Sequence, residues 1–266
     1  MDIATISGLI AGLGLVAIGI IVSEGLEGFG AFWDLPGFLI TFGGTFAALM
    51  VNYPLKMVLN IVKVLKQVLK ENTVDTAEII SVFVNYSKKA RTDGFLALSN
   101  DVKQLKNDFL KRGIQLVIDG ADQEFIRSLM ETELTFIRER HKVGQEMFYA
   151  LGTYSPAWGI IGTVIGLILM LKKLEDPSTI ASAMAIALLT AFYGLTGGYL
   201  LFNPIGGKLV RKSEEELFIK EVIVKGVLLL QSNTAPSIIE SNLKAYLEPK
   251  ARQLGIRGKK MAGEGK

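Results

Sequence analysis

Four long stretches of this 266-residue chain contain no Asp, Glu, Lys or Arg, and no other feature constrains the fold as strongly. They comprise residues 3–23, 35–55, 147–171 and 177–207, so each is at least 21 residues long. A helix needs about 20 apolar residues to cross the hydrocarbon core of a bilayer. The sequence therefore predicts an all-α, polytopic membrane protein with four transmembrane helices, at residues 3–23, 35–54, 149–171 and 178–204.

The basic residues are concentrated in two segments outside these stretches. Of the 29 Lys and Arg, 15 lie between residues 56 and 142 and 12 lie between residues 208 and 266. Because cytoplasmic segments of membrane proteins carry the excess of Lys and Arg, both segments and both termini are predicted to be cytoplasmic. Residues 55–148 then form a helical cytoplasmic domain between spans two and three, and residues 205–266 form a C-terminal cytoplasmic helix and tail. The first stretch has no basic start and no small-residue cleavage site, so we expect it to be retained.

The large loop has helical periodicity. Residues 76–90, 95–112 and 122–148 have helical patterns, and 208–231 is expected to continue span four as a long helix. Residues 55–70 are predicted to form one helix after span two. Its apolar face consists of Leu55, Val58, Leu59, Val62, Leu65 and Leu69. We expect this face to pack on the chain's own domain, and the alternative is a helix lying on anionic lipid.

Small residues recur at helical spacing in the last two spans. Helices approach closely in a bilayer where small residues recur every four positions. The predicted packing residues are Gly159, Gly162 and Gly166 in span three, and Ala183, Ala187, Ala191 and Gly194 in span four. Gly8 and Gly12 have the same spacing in span one.

Pro156 lies inside span three, and Pro204 is expected to close span four. A proline inside a helix lacks one N–H and leaves a carbonyl without its usual donor. In a bilayer such a carbonyl must be satisfied by protein or water. The hydroxyls of Thr163 and Thr190 lie nearby in the pattern, so these residues form either a kink with back-bonded hydroxyls or the lining of an ion route.

The spans contain no ionisable side chain in their cores, and ion routes through membranes almost always carry one. If ions pass through this protein, the carboxylate must come from another chain. We therefore predict a partner helix that docks on spans three and four, while spans one and two face lipid. The chain has no cysteine, which excludes thiol catalysis and cysteine-ligated metals. We expect no cofactor, no nucleic acid and no enzymatic activity.

Four motifs, in order along the chain, resemble the MotA/PomA family of flagellar stator proteins within the MotA–TolQ–ExbB group. They are residues 32–37 (FWDLPG) with 43–45 (GGT), residues 90–98 (ARTDGFLAL), residues 156–167 (PAWGIIGTVIGL), and residues 187–204 of span four.

The resemblance implies a rotary stator subunit of the bacterial inner membrane. Members form a ring of five around a MotB/PomB partner, whose single helix carries the ion-binding aspartate. Influx of protons or sodium turns the ring, which drives the rotor protein FliG. By position, Arg91 and Glu133 match rotor contacts, Pro156 and Pro204 match the coupling prolines, and Asp34 matches the acidic residue at the outer end of span two.

Two positions depart from the family pattern. The family usually has Glu at the position of Ser99, so the acidic rotor contact is either lost or moved to Asp101. It usually has Thr at the position of Ala191. Thr163 supplies a hydroxyl that sodium would favour, whereas Ala191 removes one, and on balance we expect protons. The alternatives to a stator are a TolQ/ExbB-like energiser, which would have three spans, and a small transporter with its own substrate site.

Overall fold

The computed structural model of the protein describes residues 3–69, 76–172 and 177–247, and every regular element in these ranges is helical. The α-helices are α1 (Ile3–Glu24), α2 (Leu35–Phe38), α3 (Gly44–Asn52), α4 (Leu55–Leu59), α5 (Ile61–Leu69), α6 (Thr76–Asp93), α7 (Ser99–Lys103), α8 (Asp108–Ile118), α9 (Gln123–Leu171), α10 (Pro177–Leu195), α11 (Asn203–Gln231) and α12 (Pro236–Lys244). Two π-helical segments, Leu39–Gly43 and Thr196–Phe202, join α2 to α3 and α10 to α11. The predicted all-α class is confirmed.

Four helical segments of the described chain are long and apolar enough to cross a membrane. They are Ile3–Glu24, Leu35–Asn52, Gln123–Leu171 and Ile180–Gln231, and we call them spans one to four. The four-span prediction is confirmed. In the last two segments only the apolar parts, residues 149–171 and 178–204, are predicted to lie in the bilayer.

The chain divides into two compact units. The membrane unit contains Met1–Glu71 and Arg140–Lys212, and the loop unit contains Asn72–Glu139 and Ser213–Lys266. This division differs from the predicted domain boundaries at residues 55 and 148. Val58 and Val68 are buried in the same apolar cluster as Met147, Phe148 and Leu151, so the segments flanking the spans pack with the spans.

Span two is more deeply packed than predicted. Span one contains no buried residue, which fits the expected lipid-facing position. In span two, however, Thr41 and Thr45 are fully buried, and Gly37 is buried against Thr190 and Tyr193 of span four. The prediction that span two only faces lipid was wrong, because its Gly and Thr residues allow one face to approach the neighbouring spans closely.

Neither proline ends its helix. α9 is a single helix of 49 residues that runs through Pro156, so the helical pattern at 122–148 and span three belong to one helix. Pro204 was predicted to close span four, but it lies at the start of α11, directly after the π-helical segment. A π segment pairs each carbonyl with the N–H five residues on instead of four. This change of pairing lets the helix continue through Pro204, which has no N–H to donate.

The loop unit is built on a core of large aliphatic and aromatic side chains. Phe83, Ile114, Ile126, Ile223 and Ile239 have no exposed surface. The predicted helices at 76–90 and 208–231 correspond to α6 and α11. The predicted single helix at 95–112 was wrong.

That segment consists of a 3-10 turn (Phe95–Leu98), α7 and the start of α8. The Asn107 side chain accepts hydrogen bonds from the N–H groups of Phe109 and Leu110, which starts α8 in a new direction. The break allows Leu98, Val102 and Phe109 all to reach the core.

The predicted helix at 55–70 is also broken, at Asn60. Its buried residues are Val58 and Val68, with Ile61 and Val64 partly buried beside them. Leu55, Leu59 and Val62 were predicted to pack on the chain, but they are 59%, 70% and 57% exposed. The expected packing face was therefore wrong, because the break changes which side chains share a face. The Leu69 side chain and Lys70 lie outside the described residues.

Candidate functional site: the contact between spans two, three and four

Spans three and four meet along a seam of small residues. A Cβ built on Gly159 would lie 2.8 Å from the Thr190 carbonyl oxygen and 3.2 Å from the Gly194 Cα. A Cβ on Gly162 would lie 2.5 Å from the Thr190 side chain. Side chains at these positions would force the helices apart, so glycine is required for this approach. The structure places the small residues of spans three and four in this seam: Gly159, Gly162, Gly166, Ala183, Ala187, Ala191 and Gly194. In span one, by contrast, a Cβ on Gly8 would meet nothing within 4 Å, so the same spacing there marks no close contact of Gly8.

Two threonine hydroxyls converge on one carbonyl in the seam. The Thr163 hydroxyl donates to the Ala187 carbonyl at 2.9 Å, and the Thr190 hydroxyl donates to the same oxygen at 3.1 Å. Each hydroxyl is also within bonding distance of a carbonyl of its own helix, Gly159 for Thr163 and Ile186 for Thr190. Three oxygen atoms from two spans therefore lie together. The bonds to the Gly159 and Ile186 carbonyls are the back-bonded hydroxyls that the sequence offered as one alternative.

Span two continues this polar path. The Thr41 hydroxyl donates to the Thr190 carbonyl at 3.4 Å, and the Thr45 hydroxyl donates to the Thr41 carbonyl at 2.6 Å. Thr41, Thr45 and Thr190 are all fully buried. Among the described residues, no buried side-chain nitrogen or oxygen lacks a hydrogen-bond partner.

The carbonyl freed by Pro156 faces the π-helical segment of span four. Pro156 lacks the N–H that would bond the Gly152 carbonyl, and a Cβ on Gly198 would lie 2.8 Å from that oxygen. The preceding Ser155 hydroxyl donates to the Gly194 carbonyl at 3.1 Å and is fully buried. Pro156 is thus held against the part of span four that leads to Pro204.

Residues 25–34 join spans one and two and are predicted to lie on the outer side of the membrane; this outer connector is tied to span four by Tyr193. Its hydroxyl accepts a hydrogen bond from the Asp34 N–H at 2.9 Å and donates to the Phe32 carbonyl at 2.7 Å. The Asp34 carboxylate accepts from the Gly37 N–H at 2.6 Å and caps the start of span two. Asp34 therefore has a structural role at the end of the span, whatever else it does.

Of the predicted rotor contacts, two carry ion pairs inside the loop unit. Asp101 pairs with Lys89 at 2.7 Å, and Glu133 pairs with Arg112. Burial raises the pKa of the Tyr86 phenol, and the Asp101 carboxylate beside it raises that pKa further. Arg91 is exposed in the last turn of α6 and has no ion-pair partner within the described part of the chain. The three residues therefore differ in how freely each could contact another protein.

Comparisons with known proteins agree with this architecture. Residues 101–222 match the model of the MotA/TolQ/ExbB proton channel family. Motility protein A of Borreliella burgdorferi is 39% identical over 95% of this chain and 96% of its own length. The uncharacterised protein YtxD of Bacillus subtilis is 41% identical over 92% of this chain and 90% of its own length. A solved flagellar MotAB stator complex from Bacillus subtilis superposes with a TM-score of 0.86 at 32% identity, over 93% of this chain and 97% of that one.

This chain belongs to the MotA family. It is a multi-pass inner-membrane protein and a subunit of the ion-driven flagellar stator, as the motif resemblance had predicted.

The two departures from the MotA pattern now have a structural setting. Ser99 begins α7, and its hydroxyl donates to the Leu96 carbonyl at 2.8 Å, so it closes the turn before that helix. Asp101, two residues later, is in the same helix. Ala191 lies beside Gly159, with its Cα 3.5 Å from the position of a Cβ there.

Sequence reasoning missed three residues of this MotA-type site: Thr41, Thr45 and Tyr193. The two threonines are four residues apart in a charge-free stretch, and this spacing places both on one face of the helix. That spacing was a signal for a polar face on span two. The Tyr193 contacts depend on residues about 160 positions away, and nothing local in the sequence indicated them.

Proposed function

We propose that this MotA-type chain assembles as a ring of five around a MotB/PomB-type partner, and that the partner supplies the ion-binding aspartate. One observation carries the proposal. The apolar parts of the four spans, residues 3–23, 35–52, 149–171 and 178–204, contain no Asp, Glu, Lys or Arg. Ion routes through bilayers use ionisable groups, so a chain without one requires them from a second chain. The solved relative from Bacillus subtilis is itself a MotAB complex, which supports this division.

The exposed faces of spans three and four, on the sides away from the seam, suit an apolar partner helix. Ile160, Val164, Leu188 and Tyr199 are 65%, 49%, 64% and 65% exposed. A single transmembrane helix could pack against such side chains while its one carboxylate reached the edge of the seam. The Thr163–Thr190–Ala187 oxygen cluster lies in that seam.

The experiment is ion flux into proteoliposomes. The chain alone, the chain with its partner, and the chain with a partner whose aspartate is replaced by Asn are compared by a pH-sensitive dye inside the vesicles. We expect influx only in the presence of the intact partner carboxylate. Comparable influx by the chain alone would overturn the proposal and favour a transporter with its own route.

We propose protons as the coupling ion, because Ala191 provides no hydroxyl to extend the oxygen cluster in span four. Swimming speed is measured across sodium concentrations with and without a protonophore. We expect the protonophore to stop swimming at every sodium concentration. Swimming that depends on sodium and resists the protonophore would refute protons.

Torque is proposed to pass from the loop unit to the rotor protein FliG by charge. Arg91 is the main candidate contact because it is exposed and unpaired within the described residues, whereas Asp101 and Glu133 must leave Lys89 and Arg112 to contact a rotor. This requires the loop unit and both termini to be cytoplasmic, which the distribution of Lys and Arg supports. The chain then acts as a mechanical motor component and not as an enzyme. Four spans favour a stator over a three-span TolQ/ExbB-like energiser.

A further inference from the structure

The segment directly after span two has an apolar surface that no described residue of the membrane unit covers. Span two ends at Asn52, and the next two residues, Tyr53 and Pro54, are extended, with ψ near 144° and 140°. The chain therefore leaves the axis of span two before α4 begins. α4 and α5 follow, separated by the turn at Asn60.

One side of this segment packs against other parts of the membrane unit. Val58 and Val68 are 8% and 1% exposed and belong to the apolar cluster with Met147 and Leu151. Val64 also packs there, and its side chain would lie 3.1 Å from a Cβ on Gly144. The segment is thus anchored at a fixed position by its inner side.

The other side carries large aliphatic side chains that remain exposed. Leu55, Leu59 and Val62 are 59%, 70% and 57% exposed, and Leu65 is 38% exposed. On the α5 helix, Val62 and Leu65 are three residues apart and share a face, while Ile61, Val64 and Val68 form the packed face beside it. Several exposed aliphatic residues along one short segment indicate a contact surface.

Lysines flank these aliphatic side chains. Lys56, Lys63 and Lys66 are all exposed, and residues 55–69 contain no acidic residue. A helix with apolar residues on one side and lysines beside them is typical of an interfacial helix on anionic lipid. We propose that α4 and α5 form an anionic-lipid-binding surface, with Leu55, Leu59 and Val62 in the acyl-chain region and Lys56, Lys63 and Lys66 at the phosphates.

The charge argues for lipid over a second copy of this chain as the occupant. Two copies meeting through this surface would bring lysines together with no carboxylate from the segment to offset them. Phospholipid phosphates are complementary to the lysines, and the segment begins two residues after a transmembrane helix, where lipid head groups lie. This inference depends on the four spans but not on the proposed ion route. The lipid-binding surface and the ion route can therefore fail independently of each other.

Depth can be measured with single-cysteine labels, because the chain has no cysteine of its own. The full chain with Val62→Cys is labelled with bimane and placed in nanodiscs whose lipids carry bromine on the acyl chains. Phe136→Cys in the loop unit is the matched control, since Phe136, like Val62, is an exposed apolar side chain; it is 71% exposed. Leu59→Cys is a second probe in case the first variant does not assemble.

We expect acyl-chain bromine to quench the label at 62 at least about threefold more strongly than the label at 136, because quenching requires contact with the hydrocarbon region. Equal quenching at both positions would overturn the proposal. A label at 62 that is shielded from brominated lipid and from aqueous iodide would also overturn it, since a second copy or another protein would then cover the surface.

Lipid selectivity tests the role of the lysines. Quenching of the label at 62 is compared in nanodiscs where either phosphatidylglycerol or phosphatidylcholine carries the bromine, at equal total composition. We expect phosphatidylglycerol to quench about twofold more, since each lysine near an anionic surface contributes attraction. Lys63→Gln with Lys66→Gln should bring the ratio to about one, whereas Lys103→Gln with Lys106→Gln in the loop unit should leave it unchanged. A ratio of one in the unsubstituted chain would refute binding of anionic lipid.

Discussion

Substitution of Gly159 by alanine tests the seam between spans three and four most directly. The added methyl group would lie 2.8 Å from the Thr190 carbonyl oxygen and 3.2 Å from the Gly194 Cα. Both are main-chain atoms of the neighbouring span, so no side-chain rotation can relieve the contact. The two helices would have to separate by several tenths of an ångström to restore ordinary van der Waals distances.

The magnitude follows from two opposing terms. Overpacking of a tight interface destabilises by about 1–3 kcal/mol, while replacing Gly by Ala within a helix stabilises by about 1 kcal/mol. Gly8→Ala in span one is the matched control, because a Cβ on Gly8 meets nothing within 4 Å. The helix-propensity term is common to both variants, so the difference between their free energies of unfolding isolates the overpacking, at about 1–3 kcal/mol.

The assay is reversible unfolding in mixed micelles, in which the fraction of denaturing detergent is raised and helicity is followed by circular dichroism. Gly8→Ala should unfold at the same or a higher detergent fraction than the unsubstituted chain, and Gly159→Ala at a lower fraction than Gly8→Ala. If the two variants differ by less than about 0.5 kcal/mol, the range of unconstrained surface substitutions, the seam is not limited by main-chain contact and the reasoning fails.

Three further predictions concern side chains outside the seam. Arg91→Gln should reduce stator torque on a tethered bead while leaving membrane assembly intact, whereas Lys225→Gln, an exposed control in the same unit, should not; equal torque in both variants would count against a rotor contact at Arg91. Exchanging the charges of the Arg112–Glu133 pair should restore the thermal stability lost in Glu133→Ala. If torque stays low in the stable double variant, Glu133 also contacts the rotor. Full recovery of torque would exclude a rotor contact at Glu133. Tyr193→Phe removes both hydrogen bonds to the outer connector and should destabilise by about 1–3 kcal/mol in the same unfolding assay; an unchanged midpoint would show that the connector is held by other contacts.

The fold class was accessible from the sequence because membrane insertion depends on local composition. A charge-free stretch of span length has no low-energy alternative to a transmembrane helix, since every backbone group must bond within the segment. The small-residue spacing in spans three and four was accessible for a similar reason, because only Gly and Ala permit that approach. Both features are properties of contiguous residues.

Helix boundaries and packing partners were less accessible. The break at Asn60 moved Leu55, Leu59 and Val62 from the expected packing face to the exposed one. A single-helix pattern cannot report such a turn, because the periodicity on either side of it is preserved. Likewise, both prolines lie in continuous helical segments because neighbouring spans and a π-helical segment accommodate them, and these are tertiary effects.

The sequence by itself therefore determined the four spans and the family, and it predicted that a carboxylate must come from another chain, since each depends on which residue types are present or absent in a short stretch. Tertiary structure alone decided that span two joins the polar path through Thr41 and Thr45, and that Tyr193 holds the outer connector. It also decided that Asp101 and Glu133 form ion pairs, whereas Arg91 forms none with any described residue. These depend on distances between residues far apart in the chain, which are set only when the helices pack.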